Sequence, residues 1–297
     1  MRNEFLKAAA LTVAALAYAG AGVAADVHWT YHGEESPIEW CELDPTFVKC
    51  CEGAEQTPVP IDSRSAENAQ LSPLLFDYLA ADMVATNNGH TVQVNVPAGT
   101  SSLTVNGTTY NLLQFHWHTP SEHFLDGEEY PIEMHLVHKS TEGKLLVVGV
   151  FIKEGAANAE LNKIFSVMPG IGSPDVNLTN IDVNKMLPAL KWSYRYDGSL
   201  TTPPCTEGVK WNVLATPITA TKEQIELFTS VFHGAEFPDG NRRGLKPLNG
   251  RVVLTDLGRA SGCNPTGGDG YKAADMGVLG GLAVLLLGAG AVKRMKK

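Results

Sequence analysis

Two short stretches constrain the fold of this chain more than any others. Leu112-Leu113-Gln114-Phe115-His116-Trp117-His118 alternates side-chain character, and so does Ile132-Glu133-Met134-His135-Leu136-Val137. A period of two belongs to a strand, whose side chains point to opposite faces in turn. In the first stretch Gln114, His116 and His118 share one face, with Leu113, Phe115 and Trp117 on the other, toward a core. In the second, Glu133, His135 and Val137 lie opposite Ile132, Met134 and Leu136. Two imidazoles at i and i+2 stand about 6–7 Å apart along a strand. If the two strands pair with their polar faces together, three imidazoles converge. Three histidines that leave one position open fit a catalytic zinc site rather than a closed structural one. Gln114 and Glu133 each sit one pleat from a histidine and could accept its outward ring proton. The plainer alternative is a half-exposed pair of strands with ordinary polar faces.

The body around these stretches reads as mostly β. Val92, Val94 and Val96 alternate with Gln93 and Asn95, and Leu145 to Ile152 is an apolar run suited to a strand covered on both faces. Leu103 to Val105 and Thr108 to Leu113 flank Asn106-Gly107, a two-residue hairpin turn. Helices are few: Leu161, Ile164, Phe165 and Met168 keep helical spacing, as do Ile225, Phe228 and Phe232 after the capping signal Thr221-x-x-Gln224. The expected fold is a single mostly β (α+β) domain: a large, mainly antiparallel twisted central sheet with short peripheral helices. Hydrophobic residues at 44% exclude disorder as the main state. Without the terminal segments the chain keeps 17 of its 23 basic residues and 31 of its 32 acidic ones, a net charge of −14. Such a surface repels nucleic acid.

The two ends read as addresses. Arg2 and Lys7 introduce an Ala-rich run from Ala8 to Ala19 and small residues up to Ala25, so residues 1–25 form a secretory signal peptide. The domain then spans 26–258, and residues 259–275 have spacer composition. Met276 to Val292 is uncharged and would reach about 25 Å as a helix, enough for a thin bilayer. It ends in a basic cluster that should stay cytoplasmic. Residues 276–297 thus read as a membrane anchor or as a sorting segment: Gly280-Gly281 with the basic tail resembles the bacterial GlyGly-type C-terminal signal. The protein is expected in the periplasm or at the cell surface. Its five cysteines, Cys41, Cys50, Cys51, Cys205 and Cys263, then read as two disulfides and one left over, with 15 arrangements open. A zinc knuckle on Cys41, Cys50 and Cys51 suits no common spacing.

Six motifs in order make the chain recognisable. They are Gln56-Thr57-Pro58-Val59-Pro60-Ile61, Asn88-Gly89-His90, Gln114-Phe115-His116-Trp117-His118, Ser121-Glu122-His123, Glu133-Met134-His135-Leu136-Val137-His138 and Ser199-Leu200-Thr201-Thr202-Pro203-Pro204-Cys205. From His28-Trp29-Thr30-Tyr31 to Leu248-Asn249-Gly250-Arg251 the chain resembles an α-class carbonic anhydrase. The resemblance implies a zinc lyase that hydrates carbon dioxide reversibly to bicarbonate and a proton, by attack of zinc-bound hydroxide. One zinc per chain would be held by His116, His118 and His135, with His123 and His138 as structural histidines. Thr201 would donate its hydroxyl proton to Glu122 and so orient the nucleophile, and Thr202 would contact substrate. Val137, Val147, Leu200, Val209 and Trp211 would form the apolar wall for carbon dioxide. His90 matches the proton shuttle, with Tyr31 and Asn88 ordering the connecting waters. The resemblance also favours a Cys51–Cys205 disulfide, which leaves Cys41 to pair with Cys50 and Cys263 outside both. Thr119-Pro120 and Gln93 depart from the family's usual residues, and a homodimer stays open.

Two other classes compete. A metal-free binding protein of the same fold would lack one or more of the three histidines, and all three are present. A zinc hydrolase acting on esters would need an acyl pocket that the sequence does not show.

Overall fold

The computed structural model describes residues 27–257. The signal segment, the spacer, the C-terminal segment and Cys263 lie outside the described residues. Two helical turns, α1 (Trp40–Leu43) and α2 (Lys49–Glu52), begin the domain. Short strands β1 (Pro60–Ile61) and β2 (Glu67–Asn68) lead to β3 (Leu75–Tyr78), β4 (Ala81–Asn87), β5 (Val92–Asn95) and β6 (Ser101–Val105). The centre is built from β7 (Thr108–His118), β9 (Ile132–Ser140) and β10 (Leu145–Glu154), while β8 (Phe124–Leu125) between β7 and β9 in the chain pairs with β1 in a separate two-stranded sheet. The remainder supplies α3 (Ala159–Phe165), β11 (Val176–Ile181), β12 (Ser193–Ser199), β13 (Glu207–Ala220), α4 (Lys222–Thr229) and β14 (Leu254–Thr255).

One 12-stranded sheet runs β11-β4-β5-β7-β9-β10-β13-β12-β14-β2, with β6 beside β7 and β3 beside β6. Its pairs are antiparallel except β10–β13 and β14–β2, which are parallel. Asn106 and Gly107 turn β6 into β7 with φ of 51° and 75°, the left-handed backbone that a tight hairpin needs at both positions. The apolar run of β10 is buried from Leu145 to Ile152, and alternation splits it between two cores. Leu146, Val148, Val150 and Ile152 join one cluster, and Leu145, Val147 and Phe151 join the other. Against the first cluster pack α3 and α4, where Phe165 stacks on Phe228 and both touch Trp117. The capping box of α4 does double duty, because Gln224 also bonds the backbone of Asn158, which caps α3.

Two expectations are corrected. Leu113 does not face a core: it is 42% exposed, because the β7–β9 register shifts between Leu112 and Gln114. This bulge lets Leu112 and Phe115 face the same core although their numbers differ in parity.

The second correction concerns the disulfides. They join Cys50 with Cys205 and Cys41 with Cys51, not Cys51 with Cys205. Neighbours on a helix point about 100° apart. In α2 this buries Cys50, which meets the buried Cys205, and turns Cys51 outward toward Cys41. In the loop-entropy account a bridge across 155 residues stabilises by about 5 kcal/mol and one across 10 by about 3 kcal/mol. Cys205→Ser should therefore lower the unfolding free energy more than Cys41→Ser in denaturant titrations. In the native protein, alkylation should reach Cys51 of Cys41→Ser quickly and Cys50 of Cys205→Ser only on unfolding. The reverse labelling order would restore the Cys51–Cys205 pairing.

Candidate metal centre

Strands β7 and β9 pair so that His116 stands opposite His135, and His118 opposite Glu133. The three rings of His116, His118 and His135 come within 4.7–5.5 Å of one another between centroids. Each ring offers one nitrogen to a common point, and these atoms all lie within 4.8 Å of each other. The other nitrogen of each ring is engaged. His116 Nδ1 meets Gln114 Oε1 at 2.8 Å, His118 Nδ1 meets the Asn241 carbonyl at 2.7 Å, and His135 Nε2 meets Glu133 Oε1 at 2.9 Å. All three partners are acceptors, so the outward nitrogens carry the protons and the inward lone pairs stay free. His118 Nε2 is buried and has no hydrogen-bond partner. Burial, and then the neighbouring imidazoles, push the His116 pKa well below its ordinary value, so that ring is neutral, as a metal ligand must be. The donor set fits a zinc ion with one position left open.

Glu133 is the anchor of this arrangement. Its Oε2 accepts the backbone N–H groups of Glu122 and His123, and its Oε1 meets His123 Nδ1 at 2.7 Å and His135 Nε2. Burial alone would raise its pKa, but the two imidazoles hold it below the usual carboxylate range. His123 Nε2 continues the network to the Tyr196 hydroxyl at 2.6 Å. His123, Glu133 and His135 also come close enough for a metal, yet their facing atoms are committed to one another. His138 lies on the other face, bonded to the Tyr78 hydroxyl at 2.6 Å. Both histidines are therefore placed as structural groups.

Asn241 is the residue that sequence reasoning missed. It is fully buried, its carbonyl orients His118, and its side chain bonds the backbone of Thr119, His90 and Trp117. It lies far along the chain in a loop, and no periodicity marks it.

The remaining candidates divide. Val147, Val209 and Trp211 are buried in one cluster, against which Val137 and Leu200 pack, and the Trp211 ring lies 4.8 Å from that of His135. Thr201 is buried and Thr202 partly so. Glu122 is buried, with Oε1 accepting the Arg243 N–H at 2.8 Å, while Oε2 has no partner. The expected Thr201–Glu122 hydrogen bond is thus not formed. Gln93 sits opposite His116 in the β5–β7 register and bonds Asn95. Asn88 is occupied as a turn residue, its Oδ1 accepting from His90 N and Thr91 N. Tyr31 is buried with an unpartnered hydroxyl. His90 stacks on Trp29 with centroids 3.6 Å apart and planes 8° from parallel. Burial, helped by His28, pushes its pKa down to about 4.

The sequence profile described as eukaryotic-type carbonic anhydrase matches residues 35–257. A carbonic anhydrase of Pectobacterium carotovorum is 42% identical over 229 residues, covering 77% of this chain and 91% of that one. One of Neisseria gonorrhoeae is 40% identical over 247 residues, 83% of this chain and 95% of that one. Among solved structures, the α-carbonic anhydrase of Thermovibrio ammonificans in complex with the inhibitor sulfanilamide superposes with a TM-score of 0.73. It is 41% identical, with 77% of this chain and all of that one covered.

Replacing Glu133 by Gln removes the charge that orients His135 and leaves the backbone N–H groups a weaker acceptor. Metal affinity should fall about 10–100-fold, read by competition with a chelator. Unchanged affinity would show that Glu133 does not support the centre.

Proposed function

This chain belongs to the α-class, eukaryotic-type carbonic anhydrase family and catalyses the reversible hydration of carbon dioxide, and from that premise we propose that His116, His118 and His135 hold its zinc ion. When bound, zinc supplies the Lewis acidity that makes water nucleophilic at neutral pH, carbonic anhydrases being the reference case for that chemistry. The observation that carries the assignment is the engagement of every outward ring nitrogen, with the buried inward nitrogen of His118 left unpartnered.

The chain's own groups divide the remaining work. Gln114, Asn241 and Glu133 fix the tautomer and tilt of the three rings. Glu122 keeps one carboxylate oxygen free while Arg243 N–H occupies the other. That free oxygen is the acceptor assigned to the Thr201 hydroxyl, a contact that would leave the Thr201 oxygen to accept the nucleophile's proton. Val137, Val147, Leu200, Val209 and Trp211 offer carbon dioxide an apolar wall, and Thr202 contacts substrate at its edge. His90 passes the product proton to solvent, with Tyr31 and Asn88 beside its path. Burial under Trp29, helped by His28, makes this a poor base near pH 7, so a swing off the indole is part of the transfer.

The protein acts outside the cytoplasm: residues 1–25 direct export, 26–258 form the catalytic domain, 259–275 act as a spacer, and 276–297 retain or sort the chain. Two disulfides support an oxidising compartment. Among the described residues no helix is long and apolar enough to cross a membrane.

Metal analysis combined with carbon dioxide hydration tests the centre. His135→Ala should lose most of its zinc and nearly all activity, whereas His123→Ala should keep zinc even if stability falls. A full equivalent of zinc in His135→Ala would remove the assignment.

A second test separates chemistry from proton export. His90→Ala should lower turnover in dilute buffer, with partial rescue by imidazole, while exchange between carbon dioxide and bicarbonate at equilibrium stays unchanged. Trp29→Ala exposes the His90 ring, lets its pKa rise toward about 6.5, and should speed turnover in dilute buffer. Equal losses of turnover and exchange in His90→Ala would exclude the shuttle.

A further inference from the structure

The segment from Arg243 to Arg251 runs beside Gln56, Thr57 and Pro58 and occupies their carbonyls. Arg251 Nη2 donates to the Gln56 carbonyl, Arg243 Nη1 to that of Thr57 and the Lys246 backbone N–H to that of Pro58, at 2.7–2.8 Å. Lys246 is therefore held in a fixed place, partly buried, on a segment that also carries two guanidinium groups. Its own ammonium has no answering group. Among the described lysines, Lys49, Lys144, Lys163, Lys185, Lys210 and Lys222 each meet a carboxylate, and Lys191 donates to the Pro188 carbonyl. Lys246 Nζ has neither a hydrogen bond nor an ion pair within the described residues.

An unpaired cation in partly dry surroundings is disfavoured, and here a second cation stands near it. Burial, and next the Arg243 charge, push the Lys246 pKa down to about 8. Gln56, Thr57 and Pro58 beside it carry no titratable side chain to oppose that push. About half of the side chain is thus the neutral amine at pH 8, against well under a hundredth for a lysine at the ordinary value of about 10.4. A neutral amine is a nucleophile, and lysines gain that character by burial or beside another cation. The electrophile is at hand, because carbon dioxide is the substrate of this enzyme.

We infer that Lys246 is a reversible carbamylation site for carbon dioxide. The nitrogen lone pair attacks the carbon of carbon dioxide, and a C–N bond forms as one C=O π pair withdraws to oxygen. An N–H proton passes to water or buffer, and the side chain becomes a carbamate anion. No oxidant or further reactant is needed. Position 246 changes from cation to anion, so its interaction with the Arg243 guanidinium turns from repulsion to attraction. The same reversal makes the site selective. A lysine already paired with a carboxylate would lose that pair and set two anions side by side.

The test places the zinc-loaded full chain in isotopically labelled bicarbonate equilibrated with carbon dioxide, so the reactant is present whatever the rate of catalysis. A trialkyloxonium reagent esterifies any carbamate, and peptide mass mapping then locates it. The Lys246 peptide should carry the ester at pH 8, with an occupancy about tenfold or more above that at Lys153, an exposed lysine that also lacks a partner. With dissolved carbon dioxide held constant, occupancy at Lys246 should fall as the pH is lowered through about 8, because the amine takes up a proton. Lys246→Arg keeps the positive charge but stays protonated, and should remove one carbamate signal from the carbon NMR spectrum. An unmodified Lys246 peptide would overturn the proposal. So would an occupancy no higher than that of Lys153, or a carbamate spectrum unaltered in Lys246→Arg.

Discussion

The antiparallel register of β7 on β9 is the constraint on which the centre depends. A slip of one residue would send every side chain of one strand to the opposite face and scatter the three imidazoles. The apolar face prevents that slip. Phe115 pairs with Leu136 and Trp117 with Met134, all fully buried, while β10 covers the far side of β9. The hydrophobic core thus sets the register, and the register sets the donor positions. The bulge at Leu113 belongs to the same solution. Tyr110 and Leu112 are buried at even positions and Phe115 and Trp117 at odd ones, so one extra residue is needed for both halves of β7 to serve one core.

This division explains what the sequence revealed. Alternation from Gln114 to His118 and from Glu133 to Val137 is local, and it identified the three histidines and two of their three acceptors. The Asn106-Gly107 turn and the Thr221–Gln224 cap were equally local. Leu113 misled because a bulge is invisible in a strict period of two: Leu112 and Leu113 are both apolar, and only pairing with His138 and Val137 reveals which is extra. Asn241 escaped because its contribution to His118 is a backbone carbonyl, and any residue type carries one. The disulfide partners escaped because helical phase in α2, a helix of four residues, decides which cysteine is buried.

Glu133 shows how the centre tolerates a buried charge. An isolated carboxylate at 0% exposure would be strongly disfavoured. Two backbone N–H groups and two imidazoles surround it, so the charge is spread over partners fixed by β9 and by the loop from Ser121 to His123. The same bonds fix the backbone of Glu122 and His123. A single carboxylate therefore orients one ring of the candidate centre, His135, one structural histidine and the residue assigned to Thr201. His123 gains its second bond from Tyr196, whose ring stacks with Trp211 at 6.4 Å, so the polar network also reaches the apolar wall.

Arg243 extends this logic to the amino-terminal segment. Its guanidinium donates to Gln56 Oε1, to the Thr57 carbonyl and to the Cys50 carbonyl at 2.8–2.9 Å, and it lies 5.7 Å from the Trp40 ring. Burial lowers its pKa to about 10, and the nearby Glu122 opposes that fall, so it is still a cation at neutral pH. Its backbone N–H meanwhile holds Glu122. Cys50 is thus gripped twice, by Arg243 at its carbonyl and by Cys205 at its sulfur, while Gln56 Nε2 bonds the Cys205 carbonyl at 3.1 Å. The loop bearing Thr201 and Thr202 ends at Cys205 and is closed by the Cys205 N–H to the Thr202 carbonyl. The disulfide and the buried guanidinium therefore connect the amino-terminal segment, the threonine loop and Glu122 into one unit. For that reason the position of Thr201 relative to Glu122 depends on a covalent bond and on hydrogen bonds outside the strands that carry the histidines. The two strands bring the three imidazoles together, but Glu122 and the threonine loop are held by residues from Cys50 to Thr57 and by Arg243.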